Sequence, residues 1–258
     1  MMDKKMKKIL LGLGLALVSF TSWSACDYNF DATQADIQSQ GSERFTSVNG
    51  SEVSYNTTLA NKVYVAMSKS IFNTILSNPD PTTAYNSLTG DKILNTSGIQ
   101  AFEFKIKVPE IKNNTTMLNI FPIMAGGKMA NGENMNIMIS YQKLGSTNSF
   151  YVNTAFAKNI GQVIQLPVQN TADGYQRIGI YLNQNSNQLG VIFNGVNKGY
   201  IDTYPSKLKN IFYSIGSNYT NMTATDVGKE IRIKLLLDSV DLLKMYPTGT
   251  TDICGNMI

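Results

Sequence analysis

Only two cysteines occur in the 258-residue chain, Cys26 and Cys254, and they stand near its two ends once a leader is set aside. The leader is MMDKKMKKILLGLGLALVSFTSWSA: Lys4, Lys5, Lys7 and Lys8, an apolar run from Ile9 to Phe20, then small residues. That is the pattern of a bacterial Sec signal peptide. Ser22 and Ser24 suit cleavage before Ala25, so residues 1–24 are expected to be removed and 25–258 to form one domain. No apolar run reaches the roughly 20 residues a membrane-spanning helix needs, so no integral membrane insertion is expected. Export leads to the periplasm or the medium, where an even cysteine count favours a bridge. A Cys26–Cys254 disulfide requires the two ends of the fold to lie within about 7 Å at the Cα atoms. The competing reading is a lipidated Cys26, against which Trp23 stands where a leucine-like residue is wanted.

Strand signals fill the space between the cysteines. IQAFEFKIKV (99–108) sends Phe102, Phe104, Ile106 and Val108 to one face and Glu103, Lys105 and Lys107 to the other, as a half-buried antiparallel strand does. YQRIGIYL (175–182) splits in the same way, with Ile178, Ile180 and Leu182 opposed to Arg177, Gly179 and Tyr181. IRIKLLLD (231–238) turns Ile231, Ile233, Leu235 and Leu237 inward. Asn49-Gly50 and Asn194-Gly195 each sit between two such runs, the signature of a hairpin whose turn needs φ > 0. In LGVIFNGVNKGYI (189–201) a two-residue turn sets Phe193 opposite Val196 and Gly190 opposite Gly199. Leu189, Val191, Phe193, Val196 and Tyr200 then share a face. Paired glycines weaken a sheet unless curvature, a covering aromatic or another chain uses the space.

Further strands are expected at 117–121, 135–141, 149–156 and 163–168. Segment 59–78 fits both a helix, by Leu59, Val63, Met67, Ile71 and Ile75, and a strand, by Val63, Val65 and Met67; a short helix in part of it is favoured. About ten strands with turns between them predict an all-β, antiparallel two-sheet sandwich rather than an outer-membrane barrel, since the chain ends without a terminal aromatic. The order YQRIGIYLNQNSNQLGVIFNGVNKGYI resembles concanavalin A-like and laminin-G-like jelly rolls, and CDYNFDATQA looks like the edge strand of such a fold. The whole chain further resembles an uncharacterised family, a domain of unknown function, of secreted bacterial proteins. The resemblance implies a jelly-roll fold and no particular activity.

Composition narrows the chemistry. The net charge of +4 comes largely from the leader, which holds four basic groups and one acidic group. The remainder carries 18 basic and 17 acidic groups, and no nucleic-acid partner is expected of it. Histidine is absent, which removes Ser-His-Asp and Cys-His arrangements and every histidine-based zinc site. Jelly-roll glycosidases alternate acids along one strand, yet nowhere here do two carboxylates stand two residues apart. Asp238 and Asp241, three apart, read as a solvated pair; a pair from distant strands would have to recruit a residue such as Glu103. Loop GSNYTNMTATDVG (216–228) offers Asn218, Asn221 and Asp226 to calcium, but one acid in thirteen residues is thin, and no metal or other cofactor is expected.

The sole tryptophan, Trp23, leaves with the leader. The expectation is therefore a non-catalytic binding module for a glycan, peptide or envelope component, with Arg177 and Tyr181 as the ligand-binding candidates on the face away from the core. A structural or adhesive envelope protein is the alternative, and a carbohydrate-active enzyme the less favoured third reading. Catalysis is not expected.

Overall fold

The computed structural model describes residues 26–78, 87, 89–113, 115–156 and 159–258; the leader lies outside them. Two sheets face each other. The first runs β1 (Glu43–Arg44), β4 (Lys62–Met67), β14 (Asn210–Thr220), β7 (Met117–Lys128), β8 (Asn134–Leu144), β9 (Thr147–Phe156), β10 (Asn159–Pro167), with β5 (Lys92–Ile93) beside β14. The second runs β13 (Val196–Thr203), β12 (Gln188–Phe193), β11 (Tyr175–Asn183), β6 (Ile99–Lys107), β15 (Glu230–Leu236), β3 (Glu52–Asn56), β2 (Ser47–Asn49), with β16 (Thr250–Asp252) beside β6. Pairing is antiparallel except β1 with β4 and β16 with β6. This is the expected all-β, two-sheet sandwich.

Alternation puts the core between the sheets. Phe102, Phe104 and Ile106 of β6, Ile178, Ile180 and Leu182 of β11, and Ile231, Ile233 and Leu235 of β15 meet Ile137 and Ile139 of β8, Val152 of β9 and Ile215 of β14 in one buried cluster. Aromatic rings lock the layers across the gap: Phe102 against Tyr213 at 5.2 Å, and Phe150 against Phe193 at 6.3 Å. Such pairs add about 0.5–1.5 kcal/mol each beyond the area they bury. Cys26 and Cys254 are bonded, with Cα atoms 5.8 Å apart, so beginning and end do meet.

Both readings of segment 59–78 hold in part. Residues 62–67 form β4, and Ser68 then caps α2 (Lys69–Leu76) by accepting from the Ile71 N–H. CDYNFDATQA is not an edge strand. Its Phe30 N–H donates to the Gly50 carbonyl and its Ala32 N–H to the Met67 carbonyl, so the segment straddles the two sheets before α1 (Gln34–Gln38) starts at Thr33. Two hairpin registers also differ from expectation. Asn49 pairs with Glu52, which moves the first turn on to Gly50 and Ser51.

In the second hairpin, Phe193 does face Val196 across Asn194 (φ 47°) and Gly195 (φ 81°). Beyond the turn, bulges shift the ladder: Gly190 lies opposite Tyr200 and Leu189 opposite Asp202, with Gly199 at φ 79° taking up the slip. Tyr200 consequently leaves the core face and is exposed, as is Val196 on this outermost strand. The space above Gly190 belongs to an aromatic ring. A Cβ there would stand 2.0 Å from Cζ of Tyr181.

Candidate functional site

The outer face of the second sheet carries both charge and a second layer. Strand pairing aligns Glu52 with Lys234, Lys234 with Lys105, and Lys105 with Arg177, so these four form one row across β3, β15, β6 and β11. Directly opposed side chains stand about 4.5–5.5 Å apart at Cβ, and like charges so placed destabilise a sheet. Three successive cations in a row therefore need compensation, which Glu103 gives to Arg177 and Asp173 to Lys105. Together with Tyr175, Arg232 and Asp241 the row lines a cavity of about 270 Å³.

The cations are unequally committed. Arg232 bridges Glu52 and Glu230, and Lys107 joins Glu230 at 2.9 Å. Hydrogen bonds from Lys107 and Arg232 hold the Glu230 carboxyl below the usual range, and those carboxylates raise Arg232 in turn. Lys105 lies 3.2 Å from Asp173 and rests over the Tyr175 ring, 4.4 Å from its centroid. The backbone N–H of Tyr175, and then Lys105, keep Asp173 ionised to lower pH than usual. Lys234 is half-buried in the middle of the row.

Beside the row, residues 238–249 and Ile258 fold back over the sheet, while β16 between them joins it beside β6. Leu242 and Tyr246 cover Ala101, Tyr181, Ile192 and Leu236, a small apolar cluster separate from the main core. The fastening point is Glu103, whose side chain is fully buried. One carboxylate oxygen accepts from Arg177 Nε at 2.8 Å and Nη2 at 2.6 Å. The other accepts from the Leu243 N–H at 2.6 Å and the Tyr246 hydroxyl at 2.9 Å. Burial, and then the Glu103 charge, push the Tyr246 phenol well above its usual range. Gly179 makes room for this hydroxyl, since a Cβ there would meet it at 2.3 Å. Asp252 of β16, also buried, accepts from the N–H groups of Ser239, Cys254 and Asn256 beside the disulfide.

Of the two ligand-binding candidates, Arg177 lines the cavity and donates Nη2 to the Asp241 carbonyl at 2.6 Å. Tyr181 lies outside it, 1% exposed beneath Tyr200 and Tyr246, with its hydroxyl on Asn197 Oδ1 at 3.0 Å. The face away from the core was legible, but the layer laid over it by residues 238–249 and Ile258 was not. Glu103, with four donors on it and no exposed surface, is not free to act as a second acid. Glu52 and Asp241 both line the cavity, Glu52 at the β3 end of the row and Asp241 in the loop after β15, where its carbonyl accepts from Arg177. In the loop weighed for calcium, Asp226 is buried and paired with Lys229 at 2.9 Å, while Asn218 accepts from Asn119. No helix among the described residues is long and apolar enough to cross a membrane.

This is a two-sheet, largely antiparallel β-sandwich with a charged cavity on one outer face. Residues 152–256 match the model of a family described as Domain of unknown function (DUF4882), in keeping with the resemblance read from the sequence. No curated protein sequence matches the chain. Among solved structures it is similar to porphyranase B from Zobellia galactanivorans, with 11% identity over 76% of this chain and 81% of that one and a TM-score of 0.43. The β-glucanase of Bacillus licheniformis gives 12% identity over 72% and 76%, TM-score 0.35. Alginate lyase A1-II′, a member of polysaccharide lyase family 7, gives 14% over 75% and 79%, TM-score 0.37.

The expectation was a non-catalytic binding module, with an adhesive protein as the alternative and no catalysis, whereas all three of these similar structures are named for cutting polysaccharides. The physical flaw lay in weighing missing residues. Losing histidine and tryptophan removes one general base and one stacking platform, but tyrosine, lysine, arginine and carboxylates also serve in proton transfer and charge stabilisation.

Proposed function

We propose that the protein is a polysaccharide-cleaving enzyme acting on an acidic polysaccharide at the cavity over β3, β15, β6 and β11. The observation that carries this reading is the row Lys234–Lys105–Arg177, three cations in register on one open face. A uronate carboxylate laid over the row would be neutralised there, which makes the proton on the adjacent ring carbon easier to remove. Tyr175, deprotonated at the start of the cycle, takes the ring-carbon proton and passes it to the departing glycosidic oxygen, and such a group contributes about 10²–10⁴-fold when positioned. The bond broken is the one from the neighbouring ring carbon to the glycosidic oxygen; that oxygen leaves with a proton, and a carbon–carbon double bond forms in the uronate. Nothing is oxidised or reduced, and no group is needed that the cavity lacks. Hydrolysis by two carboxylates fits less well, because Glu52 and Asp241 flank the row instead of facing each other across a glycosidic bond. The disulfide suits an oxidising location, the periplasm or the medium.

The test is to incubate the mature protein with alginate, polygalacturonate and, as neutral controls, β-1,3-glucan and xylan, following both reducing ends and the ultraviolet absorbance of unsaturated uronates. The reading expects both signals to rise for an acidic polymer only. Reducing ends from a neutral polymer, or no cleavage of any, would overturn it.

A further inference from the structure

A second cavity of about 270 Å³ opens at one end of the sandwich, where the strand ends of both sheets come together. Part of its lining is apolar: Val108 and Pro109 just beyond β6, and Val168 just beyond β10. Its walls are amides, those of Asn148, Gln169 and Asn170, and the one charged side chain among its lining residues is Glu110. The loop bearing two of these amides is held far more firmly than an exposed connection needs to be. Gln176, 2% exposed, clamps the main chain of Gln169 at both ends, its Nε2 donating to the carbonyl at 2.7 Å and its Oε1 accepting from the N–H at 3.0 Å.

Asn194, the turn residue of the second hairpin, donates its Nδ2 to Gln176 Oε1 at 2.8 Å and to Gln169 Oε1 at 3.0 Å. It also accepts from the Arg177 N–H at 2.7 Å. The loop then closes with Gly174 N–H to the Thr171 carbonyl and the Thr171 hydroxyl to the Tyr175 carbonyl. The cavity is thus ordered before any ligand arrives, which lowers the entropic cost of binding.

We propose that this end cavity is a binding site for a neutral sugar residue, distinct from the cation row. A side-chain amide offers a donor and an acceptor side by side, which matches a pair of neighbouring hydroxyls. The apolar part of the lining matches the C–H face of a pyranose ring, and the volume suits one or two such rings. Glu110 and the lack of a cation on the wall disfavour an acidic residue there. The site rests on the fold and on its own lining, not on the cleavage chemistry proposed above, although a chain with both acidic and neutral sugars could use both.

Calorimetric titration of the mature protein with β-1,3-glucan hexasaccharide, xylohexaose and mannohexaose tests it, because none of these probes carries a charge. Binding of at least one is expected, unchanged in Lys234→Ala and lost at least tenfold in Asn170→Trp, which fills the cavity from an exposed loop position. Gln169→Ala keeps the main-chain clamp and should weaken binding several-fold. No binding of any probe, or binding that survives Asn170→Trp in a protein of unchanged melting temperature, would overturn the proposal. Loss of binding in Lys234→Ala would move the sugar to the cation row and overturn it equally. Failure of the acidic-polymer assay alone would leave this result standing.

Discussion

Replacing Glu103 by Ala should be among the most damaging single changes in the molecule. The carboxylate is fully buried and receives four donors: two from Arg177, one from the Leu243 N–H and one from Tyr246. Removing it strands a guanidinium whose side chain is only 25% exposed and leaves an N–H and a hydroxyl without an acceptor. Breaking one half of a buried ion pair costs about 3–5 kcal/mol. Tyr246→Phe deletes a single hydrogen bond to a charged group and should cost about 1.5–3 kcal/mol. The pair Glu103→Leu with Arg177→Met removes both charges, so it should cost markedly less than the two single changes added together. Urea unfolding of the mature, oxidised protein measures each single variant and the pair. A Glu103→Ala loss under about 1 kcal/mol, or strict additivity of Glu103→Leu with Arg177→Met, would refute the idea that this carboxylate fastens the segment around Leu243 and Tyr246 to the sheet.

Other consequences are open to measurement. Cys254→Ser should lower stability by about 2–5 kcal/mol, since the bridge spans 228 residues and the chain-entropy model puts its upper worth near 5; an unchanged denaturation midpoint would contradict that. Gly190→Ala drives a Cβ into a Tyr181 ring already flanked by Tyr200 and Tyr246, and should cost about 1–3 kcal/mol in thermal or urea melts. On the alkaline side, burial raises the phenols of Tyr28, Tyr55, Tyr213 and Tyr246 above the usual 10.0. Their contribution is full below pH 10 and is lost as pH climbs beyond it, so ultraviolet titration should show a late tyrosine class that ionises only with unfolding. On the acid side, Asp36 is lowered from 3.8 to about 2, first by Lys69, and Glu230 and Asp173 are lowered too. Their contribution is present above the ordinary carboxyl range and should fade as pH falls toward 2, seen as a dropping melting temperature.

Much of the fold could be read from side-chain alternation alone. Phe102, Phe104, Ile178, Ile180, Ile231 and Ile233 face inward because strands have a period of two, and Asn194-Gly195 turns because both residues tolerate positive φ. Register beyond a turn was less legible, since a bulge at Gly199 moves every later partner without altering the local pattern. The disulfide followed from compartment and count, whereas the path of residues 26–32 between the sheets depends on acceptors more than fifteen residues away. The site was half legible. Arg177 was visible as an outward residue, but its neighbours Lys105 and Lys234 belong to strands far apart in sequence and become a row only once pairing order is known. Tyr181 was assigned to the same open face, and a C-terminal segment with no strand signal of its own hides it.

Cleavage by the wild-type protein compared with Lys234→Ala and Tyr175→Phe puts the central claim to the hardest test, with the unsaturated product read as absorbance on an acidic polymer. Lys234→Ala should raise KM at least several-fold, and Tyr175→Phe should cut kcat by about a hundredfold or more with KM little changed. Wild-type rates in both folded variants would show that chemistry occurs somewhere other than this face.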